Sequence, residues 1–455
     1  MSDDEVDLEL LALLRKSLGL GGGAANPGVA ETKVLENAQY VFDNAIDVAL
    51  DPAKTKAAAE TIWRQMQKKE YSTHTWSEHE LHPKTKDDNT VDFIFTMDLL
   101  NFSFWSAETE EKRFAIEYHG KKWTGYWSLV AALQRALDED IPITSPEFWI
   151  DEVECTEELI KHVFRSATDE EMPLLHERLD CLREAGRVLC NDFDGSFTDC
   201  IYNASHSAAA LVNLLAESFS CFRDEAVFNG RRVRLYKRAQ ILVADLWACF
   251  NGEGYGEFHD IDKITMFADY RIPQMLHYLG CLLYSPPLDT HIRKHRDLPS
   301  GSTWEVELRA TSIWCVELIR REIEKQHPEL RAPPARPKLR SRPVSIVGNG
   351  HFIGNHTTNG SSNSTGHTST HTNTSISETS QHNGNGHHAT DNQRNGHSQE
   401  ISEQQNGDNS VTKIHGTVKR INAILIDFFL YDTVKELEKC GQEIIPHHKT
   451  RSIWY

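Results

Sequence analysis

The sequence predicts a mostly α-helical chain, an α-rich α+β domain with a small antiparallel sheet. Three observations predict it. Apolar residues recur at helical spacing over most of the chain, and strand-like runs are few and short. Strand–helix alternation is too irregular for a doubly wound sheet, and neither a GxGxxG nor a P-loop motif occurs.

In chain order, helical patterns cover about 33–48, 52–68, 125–139, 156–165, 172–193, 206–219, 234–250, 273–284, 310–326 and 419–437. Val91 to Met97 (VDFIFTM) reads as a strand, expected to pair with Arg113 to Tyr118, with a turn near Gly120. Val227 to Arg234 reads as a hairpin around Asn229-Gly230, a dipeptide suited to a type I′ turn. In the 234–250 helix, Arg238 and Asp245 are seven apart and share a face. Acids are rarely buried alone, so Asp245 is either paired structurally or faces a site. Lys237 and Arg238 lie near the helix start, as cations for a phosphate or as a solvated basic turn.

The chain has 455 residues and a formal charge of −19. That acidic balance argues against stable nucleic-acid binding, which needs a basic face. Residues 1–34 open MSDDEVDLELLALL and continue GLGGGAANPG, an acidic amphipathic turn and flexible linker rather than a signal peptide. From about 332 to 410 the chain turns to Asn, Gly, Ser, Thr and His, too polar to offset its ordering entropy. It is expected to be a disordered insertion in one catalytic domain spanning 35–331 and 411–455. Nine cysteines without a CxxC pair suit reduced thiols in a cytoplasmic protein. No apolar run is long enough to span a membrane. No HExxH spacing and no GxSxG elbow appear, so neither metal nor cofactor is expected.

Polar residues interrupt apolar runs at several places. Phe267 to Gln274 (FADYRIPQ) sets Asp269, Tyr270 and Arg271 ahead of an apolar helical run, with Pro273 suited to the first helical position. Asp269 is then placed where the helix dipole favours an ionised carboxylate. Two readings fit: an Asp–Arg ion pair that staples the helix start, or an active-site acid. Asn101-Phe102-Ser103-Phe104-Trp105 and Tyr126-Trp127-Ser128 combine rings with hydrogen-bonding groups. They suit a flat heterocycle stacked on its faces and read at its edge, or an aromatic core cluster.

Taken together, LNFSFWS (100–106), GYWSLVAALQRALDEDIPITS (125–145), ESFSCFRDE (217–225), YKRAQILVADLW (236–247), ITMFADYRIPQ (264–274), SIWCVELIR (312–320) and RSIWY (451–455) resemble the queuosine salvage family. The resemblance runs from about residue 35 to the end, interrupted by the polar insertion. It implies a helical fold similar to DNA glycosylases. It also implies hydrolysis of the N-glycosidic bond of queuosine 5′-monophosphate, releasing queuine for reinsertion into tRNA. Asp269 is the acid of the ADYR motif that the resemblance makes catalytic, either stabilising an oxocarbenium-like state, attacking it, or activating water. Phe102, Phe104, Trp105, Tyr126 and Trp127 would form or support the base pocket, with Asn101 at its edge. Asp245 or Glu217 would hydrogen-bond the base. Lys237, Arg271 and Arg451 are candidates for the 5′-phosphate, Tyr270 for acid or substrate, and His79 for a pocket wall. The protein is expected to act as a monomer on this small molecule. The rivals are a non-catalytic nucleotide or tRNA binder and a glycosylase acting on DNA bases.

Overall fold

Helices account for most of the structure, a computed structural model that describes residues 30–72, 76, 79–330 and 421–455. The sequence's 332–410 insertion and nearly all of 1–34 lie outside the described residues. The described residues belong to one compact unit. No described helix is long and apolar enough to cross a membrane.

The centre is α13 (Thr303–Gln326), buried along most of its length. It packs against α1 (Val34–Asn44), α2 (Pro52–Lys68), α11 (Arg271–Tyr278) and α14 (Ala423–Lys439). A second group is built on α10 (Lys237–Cys249), which packs against α3 (Asp88–Leu99) and α9 (Ala208–Ser218). Helix α4 (Tyr126–Asp138) joins it, as do α5 (Pro146–Ile150), α6 (Glu157–Val163), α7 (Leu175–Asp192) and α8 (Phe197–Asn203). α12 (Pro286–Arg293) precedes α13. All described strands form two-stranded antiparallel sheets: β1 (Val48–Leu50) with β6 (Leu282–Tyr284), β2 (Ile116–Tyr118) with β3 (Lys121–Trp123), and β4 (Glu225–Phe228) with β5 (Arg231–Arg234). The last is the expected hairpin, and Asn229 (φ 49°) and Gly230 (φ 77°) give the type I′ turn.

Two elements differ from the sequence reading. Val91–Met97 is not a strand but the middle of α3, and β2 pairs with β3 instead. Asp87 caps that helix, its side chain accepting from the Thr90 N–H at 3.0 Å. Residues 93–99 are all buried, so a period of 2 and one of 3.6 leave the same apolar run. The second difference is the helix read over 273–284. It begins earlier, at Arg271, and stops at Tyr278, where Gly280 (φ +74°) turns the chain out. Pro273 is therefore third in the helix, still among the N–H groups that lack an intrahelical acceptor. Leu282–Tyr284 then becomes β6, paired with residues 48–50, the first of which had read as helix end.

Candidate active site

Asp269 sits at the start of α11, and local chemistry fixes it there. Its Oδ1 accepts the backbone N–H groups of Arg271 (2.8 Å) and Ile272 (2.9 Å). These are two of the orphan donors of a helix N-terminus. Its Oδ2 takes no hydrogen bond among the described residues. The stapling ion pair does not form: the Arg271 guanidinium instead meets Glu438, with Gln274 Oε1 at 3.2 Å. Burial raises the Asp269 pKa, opposed by Lys237 and by the two capping N–H groups.

Lys237 opens α10 and is buried. Its backbone N–H donates to Asp224 Oδ2 at 3.0 Å, while its ammonium has no hydrogen-bond or ion-pair partner among the described residues. Burial pushes its pKa down to about 8, partly offset by Asp269. Three further buried carboxyls surround this pair. Asp98, at the end of α3, is pushed up to about 7 by burial, although Asn101 Nδ2 donates to its Oδ1 at 3.1 Å. Its Oδ2 is buried with no hydrogen-bond partner among the described residues. Asp245 is raised by burial and by Asp98, against a 3.1 Å hydrogen bond from Trp76 Nε1. Asp427, on α14, is raised by burial and by Asp269, and its Oδ2 accepts the Phe267 N–H at 2.9 Å. The result is one ammonium among four acids, at least three of which burial disposes to hold protons.

Aromatic rings adjoin this cluster. Trp127 stacks on His79 (centroids 3.3 Å, 13° between planes), and Trp76 stacks on His82 at 3.8 Å. The Tyr126 hydroxyl lies 2.8 Å from His82 Nε2, and its pKa is raised by burial and then by Asp245 and Asp98. On another side Tyr270 faces Tyr455 at 6.2 Å and His447 at 4.6 Å. Arg451 lies over Trp105 at 3.7 Å and donates to Ser103 Oγ at 3.2 Å; no carboxylate pairs with it among the described residues. Burial lowers its pKa.

Asp269, Lys237, Asp245, Asn101, Tyr126 and Tyr270 are thus brought together. Phe102 is not a free stacking face: it is fully buried, with Arg178 at 4.3 Å and Arg238 at 4.9 Å from its ring centre. Phe104 lies 5.4 Å from Arg178, and Trp105 donates to the Thr450 carbonyl at 2.8 Å. Arg238 is not a phosphate ligand either, because its guanidinium is spent on the Asp98, Leu99 and Cys221 carbonyls. Glu217 is exposed at the end of α9. Sequence reasoning missed Trp76, Asp98 and Asp427. The two acids carried the signal that marked Asp245, a carboxyl inside an apolar run. A cavity of about 550 Å³ borders the aromatic group through His82, and none of Asp269, Lys237 or Asp245 lines it.

Comparisons with known proteins agree on one family. A family model described as "Queuosine salvage protein" matches residues 81–347 and 389–455. The queuosine 5′-phosphate N-glycosylase/hydrolase of Schizosaccharomyces pombe is 46% identical over 301 residues, covering 65% of this chain and 87% of that protein. Its namesake in Mus musculus is 46% identical over 291 residues (63% and 83%). That of Sphaerobacter thermophilus is 40% identical over 299 residues (66% and 88%).

Proposed function

The chain belongs to the queuosine salvage protein family, and from that premise we propose that it hydrolyses the N-glycosidic bond of queuosine 5′-phosphate, releasing queuine and ribose 5-phosphate. The observation that carries the chemistry is the asymmetry of Asp269. One oxygen is tied down by two N–H groups, the other takes no hydrogen bond among the described residues, and the buried ammonium of Lys237 favours the ionised form against the effect of burial. A carboxylate so held can stabilise positive charge developing at the sugar, or bond to it, without reorganising. Lys237 is the cation for the 5′-phosphate, since its ammonium is buried with no hydrogen-bond or ion-pair partner among the described residues and is left to an anion. Arg451 and Arg271 border the same region.

The departing base needs a proton or a strong hydrogen bond at its nitrogen. Asp98 and Asp245, held towards the protonated form, are suited to donate to its acceptors, with Asn101 fixing Asp98. Tyr126, Trp127 and His79 supply ring surface beside them, whereas Phe102 supports the pocket from within. Water adds across the broken C–N bond: its hydroxyl goes to the sugar carbon and its proton balance to the base. The reading extends to one catalytic domain, interrupted by the 332–410 insertion. It acts as a monomer in the cytoplasm without stable nucleic-acid binding; cysteines that form no disulfide support the compartment, and a net charge of −19 argues against a nucleic-acid partner.

The test is base release from queuosine 5′-phosphate, from the unphosphorylated nucleoside and from duplex DNA. Only the first should be a good substrate. Asp269→Asn is expected to lose at least about 10³-fold in kcat while still binding the nucleotide. Release at the parent rate would remove Asp269 from the chemistry.

A further inference from the structure

Arg309, in the second turn of α13, is buried and reaches both sides of the proposed site. Its Nε–H donates to the Ala268 carbonyl at 2.8 Å, the peptide unit that leads into Asp269. Its Nη1 and Nη2 form a fork on Asp224, at 2.9 and 2.5 Å. Asp224 Oδ2 in turn accepts the Lys237 backbone N–H, and its own carbonyl accepts those of Leu235 (3.0 Å) and Tyr236 (3.2 Å). Tyr236 has φ 48°, a left-handed conformation that a tyrosine adopts only when its surroundings impose it. Glu305 Oε1 completes the guanidinium's partners at 3.2 Å. The Tyr455 ring covers one face at 4.8 Å, and its hydroxyl donates to the same Glu305 oxygen at 2.6 Å.

We propose that Arg309 is a positioning residue, which through Ala268 on one side and Asp224 on the other sets the spacing between Asp269 and Lys237. Stability alone is a poor reason for this arrangement. Apolar side chains of equal volume commonly stabilise a core as well as a buried ion pair does. A planar fork with fixed donor directions instead fixes geometry, which lysine cannot reproduce. The main-chain targets are also telling, because they are the two segments that deliver the acid and the ammonium. Tyr455 holds Glu305, and its own carbonyl accepts the Ser103 N–H at 2.5 Å, tying the Asn101–Trp105 segment to the same brace. Sequence reading gave no role to Arg309, Asp224 or Glu305.

The inference rests on the proposed hydrolysis, so the parent protein and Asp269→Asn are assayed first on queuosine 5′-phosphate. Base release by the parent and loss in that variant uphold the hydrolysis; the brace is then judged alone. Arg309→Lys keeps the charge and loses the fork. It is expected to lower kcat about 10²-fold per folded molecule, the loss that a displacement near 1 Å produces, with KM changed less than about threefold. The alkaline limb of its kcat/KM profile should move away from the parent's, because Lys237 is displaced. Tyr455→Phe removes the hydroxyl that meets Glu305 Oε1 and, at 3.2 Å, His448 Nε2, and should lower kcat about tenfold with KM unchanged. It decides the matter if Arg309→Lys does not fold. Parental kcat and pH profile in a folded Arg309→Lys, or parental kcat in Tyr455→Phe should Arg309→Lys not fold, would overturn the proposal.

Discussion

At the scale of the residue, Lys237 trades stability for a role. Its folded pKa, about 8, lies below the ordinary lysine value of 10.5, so below pH 8 the fold holds a charge that burial disfavours. Between 8 and 10.5 the unfolded chain binds more protons than the native one, and stability from this group rises with pH across that window. Lys237→Met should therefore be more stable than the parent at pH 7, by up to about 3 kcal/mol, with the gain shrinking as pH passes 8. Thermal melts of the two proteins at pH 7 and pH 9.5 measure it; a less stable variant at pH 7 would refute the account. The same group sets a pH limb on turnover. kcat/KM for queuosine 5′-phosphate should fall as pH rises through about 8, while the limb in kcat lies higher, because bound phosphate holds the proton on. Asp269 was legible at this scale because three polar groups in an apolar run have a short list of explanations. Arg309 was not, since an arginine on a helix surface and one at its centre read alike until the partners are known.

At the scale of the element, helix ends were easier to read than helix interiors. Asn229-Gly230 and Asp269 act through backbone conformation and orphan N–H groups, which depend on a few neighbouring residues. α3 failed that test because residues 93–99 are all buried, so that run has no exposed polar face to reveal a period. The packing of α7 on α5 is another property no pattern displays. A Cβ on Gly186 would lie 2.8 Å from both the Pro146 carbonyl oxygen and Ile150 Cγ2. Glycine to alanine usually strengthens a helix interior by up to about 1 kcal/mol. Here the backbone carbonyl cannot yield, so Gly186→Ala should destabilise the protein by about 1–3 kcal/mol, read as a lower denaturant midpoint with unchanged slope.

At the scale of the whole molecule, the site is assembled from segments far apart in the chain. Lys237, Asp269 and Asp427 come from α10, the turn before α11, and α14, the last of them beyond the polar insertion. The family's matched residues stop at 347 and resume at 389, which leaves residues 348–388 outside the match. Deleting them should leave kcat/KM within about twofold of the parent. For a chain of that composition the shorter connection should add about 0.5 kcal/mol of stability by loop-closure entropy. A tenfold loss of kcat/KM in the folded deletion protein would show that the insertion takes part.

The sequence by itself determined the helical class, the Asn229-Gly230 hairpin, the family, and Asp269 as the acid to watch. Each rests on local periodicity, on turn chemistry, or on motifs that stand together in one order. Tertiary structure alone decided which charges face one another. It gave Arg271 to Glu438, turned Arg238 to three carbonyls, left Lys237 without a partner among the described residues, and joined Asp269 to Lys237 through Arg309 and Asp224. The physical reason is that helix and turn propensities act over a few residues. Burial and charge pairing, which set the pKa of every group in the site, depend on segments brought together only by folding.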